Sequence, residues 1–397
     1  MITVQEANTI IQSHLGKFTN ERISFDQSIG RVLQEDIYAD AHFPSFDRVM
    51  MDGIAISFES WESGNRSFPV QSMQTAGVAR TSLNDRNHCI EIMTGAVLPH
   101  NTDVVIPYEQ IEIKDGIAII NLVAIQQWKN IHKLGSDRKK GDLLVSKHTI
   151  ISPAEVATLA AVGKSEVLVI KPPKVAIIST GDELVEVYET PAAHQIRKSN
   201  SHALVASLAE MRILSDLIHL PDRREEIIDQ LRNIIDQYDL IILSGGVSKG
   251  KKDYIPEALE VNGVEKLFHR VKQRPGKPFW FGRKDNITIF ALPGNPVSTF
   301  MCFYRYIKPW LLASINQKDQ NMSYAILDED FEFDASLTYF LQVNVRNEKG
   351  RLLATPITGR GSGDFTNLNA ADGFLELSGD NTSYRKGEAF PFIPFRE

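Results

Sequence analysis

Three short loops in the second half of the chain carry residues able to hold an anion and a divalent metal. STGDEL (179–184) follows the apolar run 175–178, SGGVSKGKKDY (244–254) follows 240–243, and LPGNPVS (292–298) follows 287–291. In open α/β sheets, ligands bind beyond the carboxyl ends of the strands, so three such loops on one sheet edge form one expected site. Glycine nests hold phosphate and other oxyanions through backbone N–H groups, and carboxylates such as Asp182, Glu183 and Asp253 suit Mg²⁺. Taken singly, each loop also reads as an ordinary turn. Acidic residues suit a helix N-terminus, Pro fixes φ, and Gly permits φ > 0.

The second loop imitates an ATP-binding P-loop. Gly245 and Gly250 have the G-x-x-x-x-G spacing and Lys251 follows, but Lys252 stands where Ser or Thr would hold magnesium. Pro256 also places the expected helix start after the loop, whereas a P-loop helix begins inside it. A nest with basic flanks is the better reading, with Gly245, Gly246 and Ser248 as anion contacts and Asp253 as a carboxylate at its end. VKQRPGKPFWFG (271–282), with Arg270 before it, adds Arg270, Arg274 and Lys277 on a stretch stiffened by Pro275 and Pro278. Arg suits bidentate oxyanion binding, so the expected ligand is anionic. Asp47 and Asp52, Thr94 and Gly95, and Asp137 punctuate turns nearer the N-terminus. The ten histidines form no i, i+4 pair or H-x-H set.

The elements that must position these residues follow from the texture of the chain. Val4, Ala7, Ile10, Ile11 and Leu15 recur at helical spacing. From 41 to about 127, short apolar runs broken by Gly, Pro and Asn predict a β-rich module. Ser152, Pro153 and Gly163 cap, open and close a helix. Beyond Pro172-Pro173, continuous apolar strands alternate with helices, which predicts a parallel sheet covered on both faces. A polar linker near 314–323 precedes a small β segment.

Composition fits a soluble multidomain protein: 397 residues, 43% hydrophobic, 23% charged. The net charge of −7 gives no reason to expect nucleic-acid binding. Cys89 and Cys302, the only cysteines, sit in apolar contexts and read as buried free thiols. The first residues lack the pattern of a signal peptide, and no run of 18 apolar residues occurs, so a cytoplasmic protein with no membrane association is expected.

Together, MDGIA, MTGA, STGDEL, SGGVSKGKKDY, RPGKP and LPGNPVS resemble, in the same order, the molybdopterin molybdenumtransferases (the MoeA and gephyrin E-domain family). The resemblance covers essentially the whole chain, weakly in the last 80 or so residues, where GSG at 361–363 matches. It implies an elongated homodimer of multidomain α/β plus β chains. A discontinuous N-terminal helical/β linker domain is expected at 1–40 and 137–170, and a β-rich inserted domain at 41–136. An α/β molybdopterin-binding, adenylyltransferase-like domain is expected at 171–317 and a C-terminal β-barrel at 318–397.

The implied reaction inserts molybdenum from molybdate into adenylylated molybdopterin, with Mg²⁺, releasing AMP. A molybdopterin adenylyltransferase supplies that substrate and is an expected partner. Carried over by position, Asp182, Glu183, Asp222 and Asp253 resemble the acidic set of the α/β domain, with Asp182, Glu183 and Asp253 toward the metal. Asp52, Thr94 and Asp137 resemble a set reaching the site from the other protomer. Arg274, Lys277 and Ser298 resemble the molybdate or phosphate contacts, with Pro293 and Pro296 shaping that loop, Arg270 beside them and Ser362 in the last domain.

The chain departs from the family pattern in places. The usual D-N-S-A-M-D-G-Y is here 47–54, DRVMMDGI, and the usual R-x-x-G-E-D is 132–137, HKLGSD. Arg270 and Arg274 stand where Lys is common, and Gln342 where Arg is frequent. Two other classes share the fold: a non-catalytic scaffold, and a molybdopterin adenylyltransferase built from the α/β domain alone. AMP release against AMP attachment separates the two enzymes.

Overall fold

A computed structural model describes the chain except residues 249, 251–252, 317–321, 334–335, 358–360, 362 and 397. Its centre is a six-stranded sheet in the order Ser215–Leu220, Val175–Thr180, Leu240–Ser244, Ile287–Leu292, Trp280–Lys284, Glu265–His269. The first four strands are parallel, as the strand–helix alternation predicts. The last two run antiparallel at one edge, because the 270–279 loop turns the chain back without a crossover helix.

Side chains alternate between two cores, the period of two that a doubly covered sheet imposes. Val175, Ile177, Leu240, Ile242, Phe290 and Leu292 face one core, and Ala176, Ile178, Ile241, Leu243, Ile289 and Ala291 face the other. The first core is closed by helix Asn200–Glu210 and by the helical run from Pro296 to Ser314, which has a π turn at Phe303–Ile307. The second is closed by helices Arg224–Ile235 and Ile255–Val261.

Helix Val4–Gln12 opens on a capping box between Thr3 and Glu6. Its buried face, Val4, Ala7 and Ile11, packs into the α/β core beside Trp310 and Leu311. Trp310 Nε1 donates to His14 O at 2.9 Å and fixes the exit of the helix. This helix thus also packs on the α/β core.

Strand Asn20–Ser24 pairs antiparallel with Glu166–Ile170, and Ile37–Tyr38 with Leu143–Val145. These strands share a core with helix Pro153–Ala161, which Ser152 caps. Between them the chain builds a curled six-stranded sheet ordered Val104–Pro107, Gly53–Ile56, Cys89–Ile92, Ser67–Gln74, Ile117–Ile120, Ile111–Lys114. It has its own core around Ile54, Trp61, Phe68 and Val104. Both cysteines are free and buried, and burial pushes the Cys89 thiol up to about 12.

The C-terminal strands close a five-stranded barrel: Thr338–Glu348, Arg351–Pro356, Ser323–Leu327, Ala389–Pro394 and Gly373–Leu377, which pairs back onto the first. Strand Gln273–Arg274 pairs in parallel with Thr338–Tyr339, joining the α/β segment to the barrel. Arg305 reinforces that junction, with Nε 2.7 Å from Glu376 Oε2 and Nη1 3.2 Å from Asn8 Oδ1. Among the described residues, no helix is long and apolar enough to cross a membrane.

Candidate functional site

The parallel strands deliver the 180–183, 221–222, 244–248 and 293–296 segments to one end of the sheet. These segments, with residues 196–201, enclose a cavity of about 380 Å³. Glu183, Asp222, Gly245, Gly246, Ser248, Asp253, Pro293 and Pro296 all line it, so eight of the residues singled out from sequence meet in one place.

Close backbone approach builds the floor. Gly245 N donates to Leu292 O at 3.1 Å, tying the second loop to the third. Gly245 and Gly246 hold φ of +102° and +68°, a left-handed conformation that glycine adopts freely. A Cβ on Gly245 would lie 2.9 Å from Thr180 Oγ1, and one on Gly246 would lie 2.7 Å from Ile255 Cγ1. Thr180 Oγ1 is buried there without a hydrogen bond among the described residues. The helix after the loop starts at Ile255, so the loop ends before the helix and the P-loop geometry does not form. Asp253 turns back and accepts the Gly250 N–H, which fixes its carboxylate at the cavity wall.

Helices Asn200–Glu210 and Pro296–Cys302 both begin at this cavity. Their first N–H groups lack intrahelical partners, and the positive end of each helix dipole favours an anion. Asn200 was not anticipated, although an Asn at the start of a predicted helix was the available signal. Its Nδ2 donates to Gly294 O at 2.7 Å, Ser244 Oγ at 3.1 Å and Thr299 Oγ1 at 3.3 Å, so one side chain joins two loops and two helices. Lys198, also unanticipated, lines the cavity and pairs with Glu186, and that contact holds the Glu186 carboxyl below the usual carboxylate range. Beneath it, Ser179 Oγ lies 3.0 Å from His219 Nδ1. Burial lowers the pKa of His219 below the usual histidine value.

Other predicted residues lie elsewhere. Asp182 is exposed and absent from the lining, because its Oδ1 accepts the Asp222 N–H at 3.2 Å. Among the described residues, no group of three or more His, Cys, Asp or Glu is gathered to hold a metal, so Asp182, Glu183 and Asp253 do not form a ready-made cage. Ser298 is 2% exposed, since two residues along a helix from Pro296 turn it about 200° away from the cavity. Arg270, Arg274 and Lys277 are also absent from the lining, whereas Pro278 is present. The Arg274 guanidinium instead lies 5.3 Å over the Phe333 ring. Ser362, Lys249, Lys251 and Lys252 fall outside the described residues.

Asp52, Thr94 and Asp137 sit in or beside the curled sheet and do not line the cavity of their own chain. Asp52 Oδ1 accepts both the hydroxyl and the N–H of Thr94 at 2.6 Å, which holds its carboxyl below the usual aspartate range. Asp137 Oδ1 lies 2.7 Å from His132 Nε2, and the ring's Nδ1 lies 3.2 Å from Arg48 Nη2.

Comparison with known proteins matches three family models along the chain. They are the MoeA N-terminal region (domain I and II) at 2–163, the "Probable molybdopterin binding domain" at 176–313, and the MoeA C-terminal region (domain IV) at 324–395. The molybdopterin molybdenumtransferase of Synechocystis sp. is 40% identical over 397 residues, covering 99% of both chains. That of Bacillus subtilis is 30% identical over 390 residues, covering 95% of this chain and 90% of the relative. The crystal structure of the molybdopterin biosynthesis MoeA protein from Pyrococcus horikoshii superposes with a TM-score of 0.87, at 29% identity and full coverage of both chains.

Proposed function

Because this chain belongs to the MoeA family and is a molybdopterin molybdenumtransferase, we propose that it transfers molybdenum from molybdate into adenylylated molybdopterin and releases AMP. The observation that carries the reading is the single cavity in which a glycine nest, two helix N-termini and three carboxylates converge. Both substrates are anions, one a phosphoanhydride and one a tetrahedral oxyanion, and each needs backbone donors in place of water.

The chain's own groups divide the work. N–H groups of the 245–247 nest and of the helix starts bind and orient the phosphates. Asn200 keeps the 244–246 and 293–295 loops at fixed spacing. Asp253, held by Gly250, keeps a carboxylate at the cavity wall. Mg²⁺ is commonly held by one or two carboxylates plus substrate phosphates, so one or two of Glu183, Asp222 and Asp253, which line the cavity without forming a preformed cage, would hold it together with the substrate. Bound there, the ion would neutralise the phosphoanhydride and polarise it toward cleavage.

The Asp52, Thr94 and Asp137 set completes the site from a second copy of the chain, which makes the working unit a homodimer. Its placement outside the cavity of its own chain supports this assignment. A cytoplasmic setting, with a molybdopterin adenylyltransferase handing over the substrate, belongs to the same reading. Incubating the purified protein with adenylylated molybdopterin, molybdate and Mg²⁺ tests it: AMP appears only when all are present. AMP release that ignores molybdate, or transfer of AMP onto free molybdopterin, would refute it.

A further inference from the structure

Strands Arg48–Val49 and Ile131–His132 pair antiparallel, with Val49 opposite Ile131 and Arg48 opposite His132. Val49 and Ile131 are buried in one core, so the period of two turns Arg48 and His132 out together on the other side. The 133–137 turn that follows is pinned through its backbone. Gly135 N donates to Pro44 O at 3.0 Å and Asp137 N to Phe43 O at 2.9 Å, and Asp47 Oδ1 accepts the Leu134 N–H at 2.8 Å. This turn returns Asp137 to the ring of His132.

An arginine side chain donates and never accepts, so the 3.2 Å contact from Arg48 Nη2 obliges His132 Nδ1 to accept. The ring then carries its proton on Nε2 and donates it to Asp137 Oδ1 at 2.7 Å, the length of a charge-assisted bond. Among the described residues the side-chain contacts to Asp137, from His132 and Ser136, both fall on Oδ1, and Oδ2 has none. The Asp137 side chain is 53% exposed, so these contacts add little to stability; what they fix is the direction of the carboxylate. Positions 48 and 132 are also two of the places where this chain departs from the family pattern, which has Asn and Arg there. The departures face one another across one strand pair. The cation has crossed to 48, and a ring at 132 spans the space it left.

We infer that Arg48 and His132 are positioning residues that aim Asp137 at the substrate, the guanidinium acting through the imidazole in place of an arginine at 132. This rests on the function proposed above, in which Asp137 serves the site of a second copy. Arg48 sets which ring nitrogen donates, and the donor holds one carboxylate oxygen while the other is left for the ligand.

The test uses the full chain. Nitrogen NMR of histidine-labelled protein in mildly alkaline buffer, with His132 assigned by its loss in His132→Gln, should show Nε2 protonated and Nδ1 bare. The Nδ1 resonance should move downfield in Arg48→Met, which removes the donor. In molybdenum insertion, His132→Leu, Arg48→Asn and His132→Arg should each lower kcat by about 10- to 100-fold, the cost of a misaimed group, with KM less affected. His132→Gln should stay near wild type, since Gln offers an oxygen to Arg48 and an N–H to Asp137. Arg48→Asn combined with His132→Arg should recover most of the rate, because the arginine then meets Asp137 directly. Melting temperatures of all these variants should stay within about 2 °C of wild type, as for an exposed pair. A protonated Nδ1, a wild-type rate in His132→Leu, a double variant no faster than its parents, or activity lost in step with melting temperature would overturn the inference. The expected nitrogen pattern in a chain that inserts no molybdenum would sustain the bridge and count against the proposed function instead.

Discussion

Thr94 gives Asp52 two hydrogen bonds on one oxygen, from its hydroxyl and its backbone N–H, each 2.6 Å long. The hydroxyl is the larger cause of the depressed Asp52 pKa, with the N–H next. A carboxyl depressed in the folded state stabilises it above the ordinary aspartate value of 3.8, and this contribution is lost as pH falls through the depressed folded value. Thr94→Val removes the hydroxyl donor while keeping the side-chain shape. The Asp52 pKa, read by carbon NMR of the carboxyl, should rise toward the ordinary value. The melting-temperature gap between variant and wild type should be present at neutral pH and close as pH falls below 3.8. An unmoved pKa would show that the backbone N–H alone holds the charge.

Gly246→Val should abolish AMP binding. The residue holds φ +68°, and its Cβ would meet Ile255 Cγ1 at 2.7 Å and Thr180 Oγ1 at 3.1 Å. Strain and crowding of this kind cost about 1–3 kcal/mol each, so the fold should survive with a lowered melting temperature. Lys252→Ser, by contrast, should gain no ATP hydrolysis, since the helix begins only at Ile255. Unchanged AMP affinity in the glycine variant, or ATPase activity in the lysine variant, would restore the P-loop reading.

Glu183→Ala and Asp253→Ala should fold normally and lose most molybdenum insertion. Both side chains line the anion cavity from different strand-end loops. Raising Mg²⁺ should recover part of the activity of either single variant, because the substrate phosphates and the two remaining carboxylates would still bind the ion. Near-wild-type rates in both variants at low Mg²⁺ would remove these carboxylates from the metal site.

Mixed dimers test the shared site. Asp52→Ala and Glu183→Ala chains should each be inactive alone and regain activity when combined, because one of the two hybrid sites keeps both residues. Heterodimers verified by mass spectrometry but still inactive would mean that each site is built within one chain.

The strand-end loops were legible because continuous apolar strands and glycine punctuation report a covered sheet and its turns directly. That pattern brought Glu183, Asp222, Gly245 and Asp253 to one place. Side-chain direction was less legible. Ser298 lies two residues past Pro296, and the helical twist alone sends it into the core. Arg274 reads as an anion ligand by charge, yet its strand is paired with the barrel and its guanidinium covers Phe333. Helix Val4–Gln12 shows its apolar stripe plainly, but periodicity carries no address, and the partner is the α/β core more than 160 residues away. Asn200 escaped notice because its role is to join loops distant in sequence, a tertiary property that no local pattern encodes.

The quantity that tests the proposed reaction most directly is the coupling between metal insertion and AMP release. It is measured by running adenylylated molybdopterin, molybdate and Mg²⁺ over the protein, then counting AMP by chromatography and pterin-bound molybdenum by mass spectrometry in the same sample. One molybdenum should be inserted for each AMP released, with neither appearing when molybdate is omitted. AMP released without molybdenum bound, or molybdenum bound while the adenylate stays intact, would contradict it.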